Sequence, residues 1–314
     1  MAPPNGRKFE RLLEACRGLG PASAAIAHPC DAESLQGALE AAHAGLIRPV
    51  LVGPAARIRA TAAAAQLDIE AFELVDTAHS HASAAEAVRL VREGRAAVLV
   101  KGSLHTDELM GAVVDAASGL RTARRISHCY LMDVPSLADL IIISDAAVNI
   151  APDLAAKVDI VQNAIDFAHA LAFAEVRVAI LAANEHVNPK ILSTLEAAAL
   201  CKMADRGQIT GAILDGPLAL DNAISLDAAR IKHIESAVAG RANVLIVPDL
   251  EAGNMLAKSL SFLAGAEAAG VVLGAKVPIA LTSRADSARA RLVSCAAALL
   301  LAQARRADPG RAIS

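Results

Sequence analysis

The chain has 314 residues, with 30 Lys and Arg against 33 Asp and Glu and a formal net charge of -3, which argues against a general nucleic-acid binder, whose phosphate contacts need a basic excess. Hydrophobic residues make up 55% and charged residues 20%, so disorder is ruled out as the main state. Aromatics are only 2%, with no Trp and with Tyr130 as the one tyrosine, which argues against a base-stacking or carbohydrate platform and leaves a core of Ala, Val, Leu and Ile.

The N-terminal stretch MAPPNGRKFERLLEA is polar and has no apolar signal core. Short uninterrupted apolar runs follow at Ala24–Ala27, Val50–Val52, Ala96–Val100, Leu140–Ile143, Val176–Leu181, Ala212–Leu214, Val244–Val247, Gly270–Leu273 and Ile279–Leu281. Such runs read as strands buried on both faces. Ala-rich stretches with helical spacing lie between them, so the pattern predicts α/β architecture with mostly parallel sheets. Ser83-Ala-Ala-Glu86 and Ser193-Thr-Leu-Glu196 fit capping boxes, and Asn188-Pro189 fits a cap before a first-turn proline. The last apolar stretch, Leu292–Ala304, is shorter than the roughly 20 residues that span a bilayer. The five cysteines are scattered and form no CxxC pair. A reducing, cytoplasmic setting is expected, without disulfides or structural zinc. At roughly 150 residues per domain, the length suggests about two domains.

In open α/β sheets ligands bind beyond the carboxyl ends of the strands. His28, Gly53-Pro54, Ser144-Asp145, Asn184, Glu185 and Pro248-Asp249 stand at such ends. Three segments are sharper. Lys101-Gly102-Ser103-Leu104-His105-Thr106 offers a close-approach glycine, donors from Lys101, Ser103 and Thr106, and a following helix start; it reads as a phosphate cradle or as an ordinary capped turn. Thr282-Ser283-Arg284-Ala285-Asp286 offers an arginine fork for an oxyanion, or a helix start capped by Ser283 or Asp286. Asp215-Gly216-Pro217, with Asp221 and Asn222 beyond it, places two carboxylates after a strand, for substrate, metal or turn. His79-Ser80-His81 and His128-Cys129 are weak candidates for a metal pair and a thiol nucleophile, and no metal site is expected. HExxH, GxSxG and Walker A patterns are absent.

Together the segments resemble the phosphate acetyl/butyryltransferase family, more closely its butyryltransferase branch. The resemblance rests on KGSLHTDELMGAVV (101–114), ISDAAVNIAPDLAAKVDIVQNAI (143–165), VNPKIL (187–192), RGQITGAILDGPLALDNAIS (206–225) and the run from Val247 through TSRADS at 282–287. It implies two α/β domains of the isocitrate/isopropylmalate dehydrogenase-like kind, residues 1–143 plus 275–314 and an inserted 144–274, with the active site in their cleft. It implies acyl-CoA plus phosphate giving acyl phosphate plus CoA, by direct thiolate attack. No tightly bound cofactor is implied, since CoA is a substrate. A homodimer is implied, with no nucleic-acid or membrane partner. By the same resemblance Arg284 binds phosphate and stabilises the transition state, and Ser283 stabilises the oxyanion. The family's proposed base is an aspartate about six residues after the arginine, where this chain has Ala290; the available carboxylate is Asp286. Lys101, Ser103, His105, Thr106, Asp215 and Thr282 are the expected substrate and phosphate contacts. Arg124, Arg125, Arg289 and Arg291 are possible neighbours of the CoA phosphates, or solvated helix arginines. The competing readings are an NAD- and metal-dependent decarboxylating dehydrogenase using Asp215, Asp221 and Asp249, and a non-catalytic CoA- or acyl-phosphate-binding relic.

Overall fold

The computed structural model describes residues 7–283 and 286–308. The chain opens with α1 (Arg7–Ala15), β1 (Ala22–Ala27), α2 (Ala32–His43), β2 (Ile47–Gly53), α3 (Ala55–Ala64), β3 (Glu73–Asp76), α4 (Ser80–Arg92), β4 (Val98–Lys101) and α5 (Thr106–Val114). It continues through β5 (Ser127–Asp133), β6 (Ile141–Ser144), α6 (Leu154–Ala170), β7 (Arg177–Leu181), α7 (Leu192–Asp205), β8 (Ile213–Leu218), α8 (Leu220–Ile224), α9 (Leu226–Ile231), β9 (Val244–Ile246) and α10 (Leu250–Leu263). It closes with β10 (Glu267–Leu273), β11 (Ile279–Ala280) and α11 (Ala288–Ala307).

Two compact units result: an N-terminal unit of Phe9–Arg124 with the chain from Ala269 onward, and a central unit of Arg125–Ala268 joined by Lys8. These divisions fall at 124/125 and 268/269, beside the expected 143/144 and 274/275. The first difference has a simple cause: β5 and β6 pair antiparallel and so belong to one unit.

In the N-terminal unit the strand order is β3-β2-β1-β4-β11-β10, parallel except for β10 against β11. In the central unit it is β5-β6-β9-β7-β8, parallel except for β5 against β6. Both are the mostly parallel sheets that the apolar runs predicted. Every predicted run forms a strand. Ala24, Ala25, Ile26, Leu99, Val178 and Leu245 are fully buried, as double-faced burial requires.

Two strands escaped the sequence pattern. β3 is an edge strand, ELVD, with both ends exposed. β5 reads SHCYLMD, yet Ser127, His128 and Asp133 are buried. Asn163 donates to Ser127 Oγ at 2.9 Å, Asp133 pairs with Lys8 at 2.7 Å, and the His128 and Tyr130 rings meet edge to face at 4.4 Å. β8 is longer than expected, so Asp215 lies within the strand opposite Ala179 rather than in a loop after it.

The two expected capping boxes are corrected. α4 begins one turn before Ser83 and is capped by His79, whose Nδ1 accepts from Ala82 N at 3.3 Å. Ser193 sits inside α7, and Asn188-Pro189 lies in a turn before it, held by Asn188 N donating to Thr194 Oγ1 at 2.9 Å. In α4 His79 takes the cap in place of Ser83, whereas α7 starts after Ile191 with no side-chain cap. The apolar stretch 292–304 forms the body of α11, which packs on α2. Among the described residues no helix is long and apolar enough to cross a membrane.

Candidate active site

Parallel register assembles the candidate residues of the N-terminal unit. Ala27 at the end of β1 lies beside Lys101 at the end of β4, and Val100 lies beside Ala280 of β11. The segments that follow these three strands therefore emerge side by side. Lys101 is buried, and its ammonium sits 3.3 Å from Thr282 O and 3.5 Å from Gly102 O. Residues 181 positions apart thus meet at one sheet edge. A buried ammonium beside carbonyl dipoles places positive charge at this end of the sheet, where an anion is favoured.

The turn after β4 is locked by backbone. Gly102 N donates to Ala27 O at 2.9 Å and Ser103 N to His28 O at 2.9 Å. Ser103 Oγ donates to the same His28 carbonyl at 2.8 Å and accepts from Cys30 N at 3.1 Å. Ser103 therefore ties the β1–α2 turn to the β4–α5 turn. His105 occupies the cap position of α5, its backbone N donating to Glu108 Oε2 at 2.8 Å, and Thr106 is the first helical residue.

Beside this turn lies a cavity of about 310 Å³. Ser103, His105, Glu108 and Ser80 line one part of it, with His28, Asp31 and Arg57 among the others. His28 is buried at φ 58°, a conformation that non-glycine residues seldom adopt. Its Nδ1 lies 3.0 Å from Ser83 Oγ, whose own proton goes to His79 O at 2.9 Å. Burial, with Arg57 nearby, lowers the His28 pKa. Glu108 takes the Ser80 hydroxyl at 2.6 Å and the His105 N–H, and these bonds lower its pKa.

The segment after β11 is organised around Asp286. Its Oδ2 accepts from Ser283 N at 2.6 Å, and Asp286 N donates to Ser283 O at 3.2 Å. These reciprocal bonds tie Ser283 to Asp286, and Arg284 lies outside the described residues. Desolvation raises the Asp286 pKa, opposed by the Ser283 N–H and by the charges of Arg291 and Lys101. The following helix is capped by Ser287, which accepts from Ala290 N at 3.2 Å, so neither Ser283 nor Asp286 is its cap.

The residue that sequence reasoning undervalued is Arg291. Only 5% exposed, it donates from Nη1 to Thr282 Oγ1 at 3.0 Å and from Nη2 to Ser283 O at 3.1 Å. Its position in the first turn of α11 looked like a solvated face. The signal was Gly37 on α2: a Cβ there would stand 2.7 Å from Arg291 Cδ. Of the other arginines, Arg289 pairs with Glu10 at 2.9 Å, and Arg125 donates to Asn149 Oδ1 at 2.6 Å.

The central unit has its own polar edge. Ser144 pairs with Ile246, and Ile180 with Ile246, so β6, β9 and β7 end level. Asp145 beyond β6 is buried; its carboxylate accepts from Ala147 N, Val148 N and Asn149 N at 2.9, 3.0 and 3.2 Å. Burial nonetheless raises its pKa. Asp215 accepts from its neighbour Gly216 N at 2.8 Å. Asp221 pairs with Lys232 at 3.1 Å, and Asp249 caps α10 through Ala252 N at 2.8 Å. Among the described residues no group of three His, Cys, Asp or Glu could hold a metal ion.

Burial pushes the Cys129 and Cys295 thiols up to about 12 and Cys16 and Cys30 up to about 11, and Cys201, half-buried, also rises to about 12. His128-Cys129 is therefore core, not a nucleophile pair. Native protein is expected to react with Ellman's reagent far more slowly than free CoA, which a stopped-flow trace at neutral pH checks; fast labelling of any thiol would contradict the burial.

A family model described as phosphate acetyl/butaryl transferase matches residues 80–299. The chain belongs to the phosphate acetyl/butyryltransferase family. It is an acyltransferase, and the reaction of the family is reversible acyl exchange between CoA and phosphate. A phosphate acetyltransferase of Rhizobium meliloti is 63% identical over 97% of this chain and 96% of its own length. A probable phosphate butyryltransferase of Bacillus subtilis is 45% identical over 88% of this chain and 91% of its own. The expected lean toward the butyryl branch thus meets higher identity to an acetyltransferase. Among solved structures, a branched-chain phosphotransacylase from Enterococcus faecalis V583 superposes with a TM-score of 0.78 and 29% identity, over 90% of this chain and 99% of that one. The dehydrogenase reading is not favoured.

Proposed function

We propose that this chain is a phosphate acetyltransferase that also accepts longer short-chain acyl groups. The observation that carries the reading is the meeting of the Lys101–Thr106 turn with the end of β11 at one sheet edge, through Lys101 and Thr282 O at 3.3 Å. The preference for acetyl is supported by identities of 63% to an acetyltransferase and 45% to a probable butyryltransferase.

In the proposed mechanism the CoA thiol gives its proton to Asp286, and the sulfur attacks the carbonyl carbon of the acyl phosphate. The C–S bond forms, the C–O bond to phosphate breaks, and the leaving phosphate takes up the proton. Arg284 holds the phosphate through its guanidinium fork and neutralises charge as it departs. Ser283 stabilises the oxyanion. Lys101 adds positive charge beneath the phosphate, and His105, Thr106 and Thr282 complete its surroundings. Ser103 contributes by fixing the turn, since its proton is already given to His28 O. Asp215 is a candidate substrate contact of the central unit. A raised Asp286 pKa means that the base is lost on acidification at a higher pH than an ordinary aspartate would show. A homodimer in a reducing cytoplasm fits five free cysteines and the exposed Phe262 and Leu263 of α10.

The test is thiol release from acetyl-, propionyl- and butyryl-CoA, with and without phosphate. Phosphate-dependent release with the highest kcat/KM for acetyl-CoA is expected. Arg284→Ala should lower kcat/KM about a hundredfold at unchanged melting temperature. Asp286→Asn should lower it about as much and remove the acid limb of the pH profile. No phosphate-dependent release from folded protein would overturn the reading.

A further inference from the structure

The second cavity of the N-terminal unit, about 420 Å³, lies at the opposite edge of its sheet. Ala97 immediately precedes β4 and Pro278 immediately precedes β11, and both line it. Lys101 and Thr282 stand at the other ends of the same two strands. A four-residue strand rises about 3.3 Å per residue, so roughly 13 Å of sheet separates the cavity from the candidate active site.

The composition of the cavity is one-sided. Its floor is apolar, built from Ala97, Val277, Pro278 and Ala302. Its rim carries Arg121, Lys276, Arg305 and Arg306, and no carboxylate is among the described residues that line it. Arg305 is tied down, donating from Nη1 to Ala275 O at 3.0 Å. The side chains of Arg121, Lys276 and Arg306 make no hydrogen bond or ion pair with another described residue. The backbone beneath them is firm: Arg121 bridges Ala275, Lys276 N donates to Leu120 O at 2.8 Å, and Thr122 Oγ1 donates to Gly274 O at 2.7 Å. Like charges gathered over low-dielectric walls focus a positive potential into the opening. The volume lies in the range of small-molecule sites, which run to roughly 300–1,000 Å³.

We propose that this cavity is a binding site, separate from the acyl-transfer site, for a small amphipathic anion: an apolar body seated on the alanine, valine and proline floor, with a phosphate or carboxylate held by Arg121, Lys276 and Arg306. Guanidinium forks suit either head group. An anion at this edge does not compete with CoA or phosphate for Lys101 or Arg284.

Calorimetric titration of the full chain with hexyl phosphate, hexanoate, hexanol and inorganic phosphate, each with and without saturating CoA, tests this. One equivalent of hexyl phosphate or hexanoate should bind equally well in both conditions. Hexanol and inorganic phosphate should bind about tenfold more weakly or worse, because each supplies half of the recognition. Lys276→Glu and Arg306→Glu should each weaken the anion about tenfold and leave kcat and both KM values unchanged; Lys276→Gln guards against a misfolded variant. Binding that CoA abolishes, binding that the charge reversals leave intact, or no binding of either anion would overturn the proposal. Because the readout is affinity with and without CoA, its failure is distinct from a failure of acyl transfer.

Discussion

Arg291→Ala should lower the melting temperature by about 10 °C and turnover about a hundredfold. The guanidinium is almost fully buried and donates to Thr282 Oγ1 and Ser283 O. Truncation leaves the buried Thr282 hydroxyl and the part-buried Ser283 carbonyl without their charged donor, a loss of about 1.5–3 kcal/mol for each such bond before relaxation. It also opens a void between α11 and Gly37 of α2. A net destabilisation of about 4 kcal/mol is reasonable, and at about 2–4 °C per kcal/mol for folds of this size the shift follows. Turnover falls for a second reason. Arg291 holds the Thr282-Ser283 peptide that leads into Arg284, and a displacement of about 1 Å at a reacting centre costs on the order of a hundredfold. Arg291→Lys separates the effects. It keeps charge and some packing but cannot fork to two oxygens, so thermal denaturation should recover more than kcat does. A variant with wild-type stability and wild-type kcat would show that Arg291 holds nothing.

Gly102→Ala should be at least as damaging. A Cβ at position 102 would stand 2.4 Å from Ala27 O and 2.6 Å from His28 O. Both obstacles are backbone atoms, so no rotamer change relieves the clash. The β1 and β4 ends must part, breaking the Gly102 N to Ala27 O and Ser103 N to His28 O bonds that shape the turn. Overpacking of this kind costs about 1–3 kcal/mol or more, and here it falls on the segment that carries Lys101. Thermal denaturation and kcat should fall together, with turnover down more than about a hundredfold. Gly111→Ala, in α5 with nothing within 4 Å of the added carbon, is the control. It should be neutral or stabilising by up to about 1 kcal/mol. Equal behaviour of the two variants would sink the close-approach explanation.

The apolar runs were legible because parallel strands are buried on both faces and cannot hide among polar residues. β5 was not, since Ser127, His128 and Asp133 look like a loop until Asn163 and the Tyr130 ring are placed beside them. β3 was not, because an edge strand of four residues needs few apolar side chains. By the resemblance the Lys101–Thr106 segment is expected to hold phosphate from across the cleft; it instead meets Thr282 within the same unit, through register between β4 and β11 that no local pattern encodes. Arg291 shows the reverse failure. Helix spacing says where an arginine sits on its own helix, not what faces it, and here the facing residue is a glycine that admits it. The caps at His79 and Ser287 were missed in the same way, because neighbouring residues offered equally good local chemistry.

The strand order β3-β2-β1-β4-β11-β10 has a consequence for synthesis. When residues up to 124 have left the ribosome, the N-terminal unit can pair only four of its six strands, and β4 ends the sheet with bare N–H and C=O groups. Its neighbour β11 is not made until about 180 residues later. For that interval a short edge, apolar except for Lys101, stands open, the kind of surface that recruits chaperones or other nascent chains. Lys101 lies on that edge, so the groups assigned to chemistry are among the last to be completed as the protein is born.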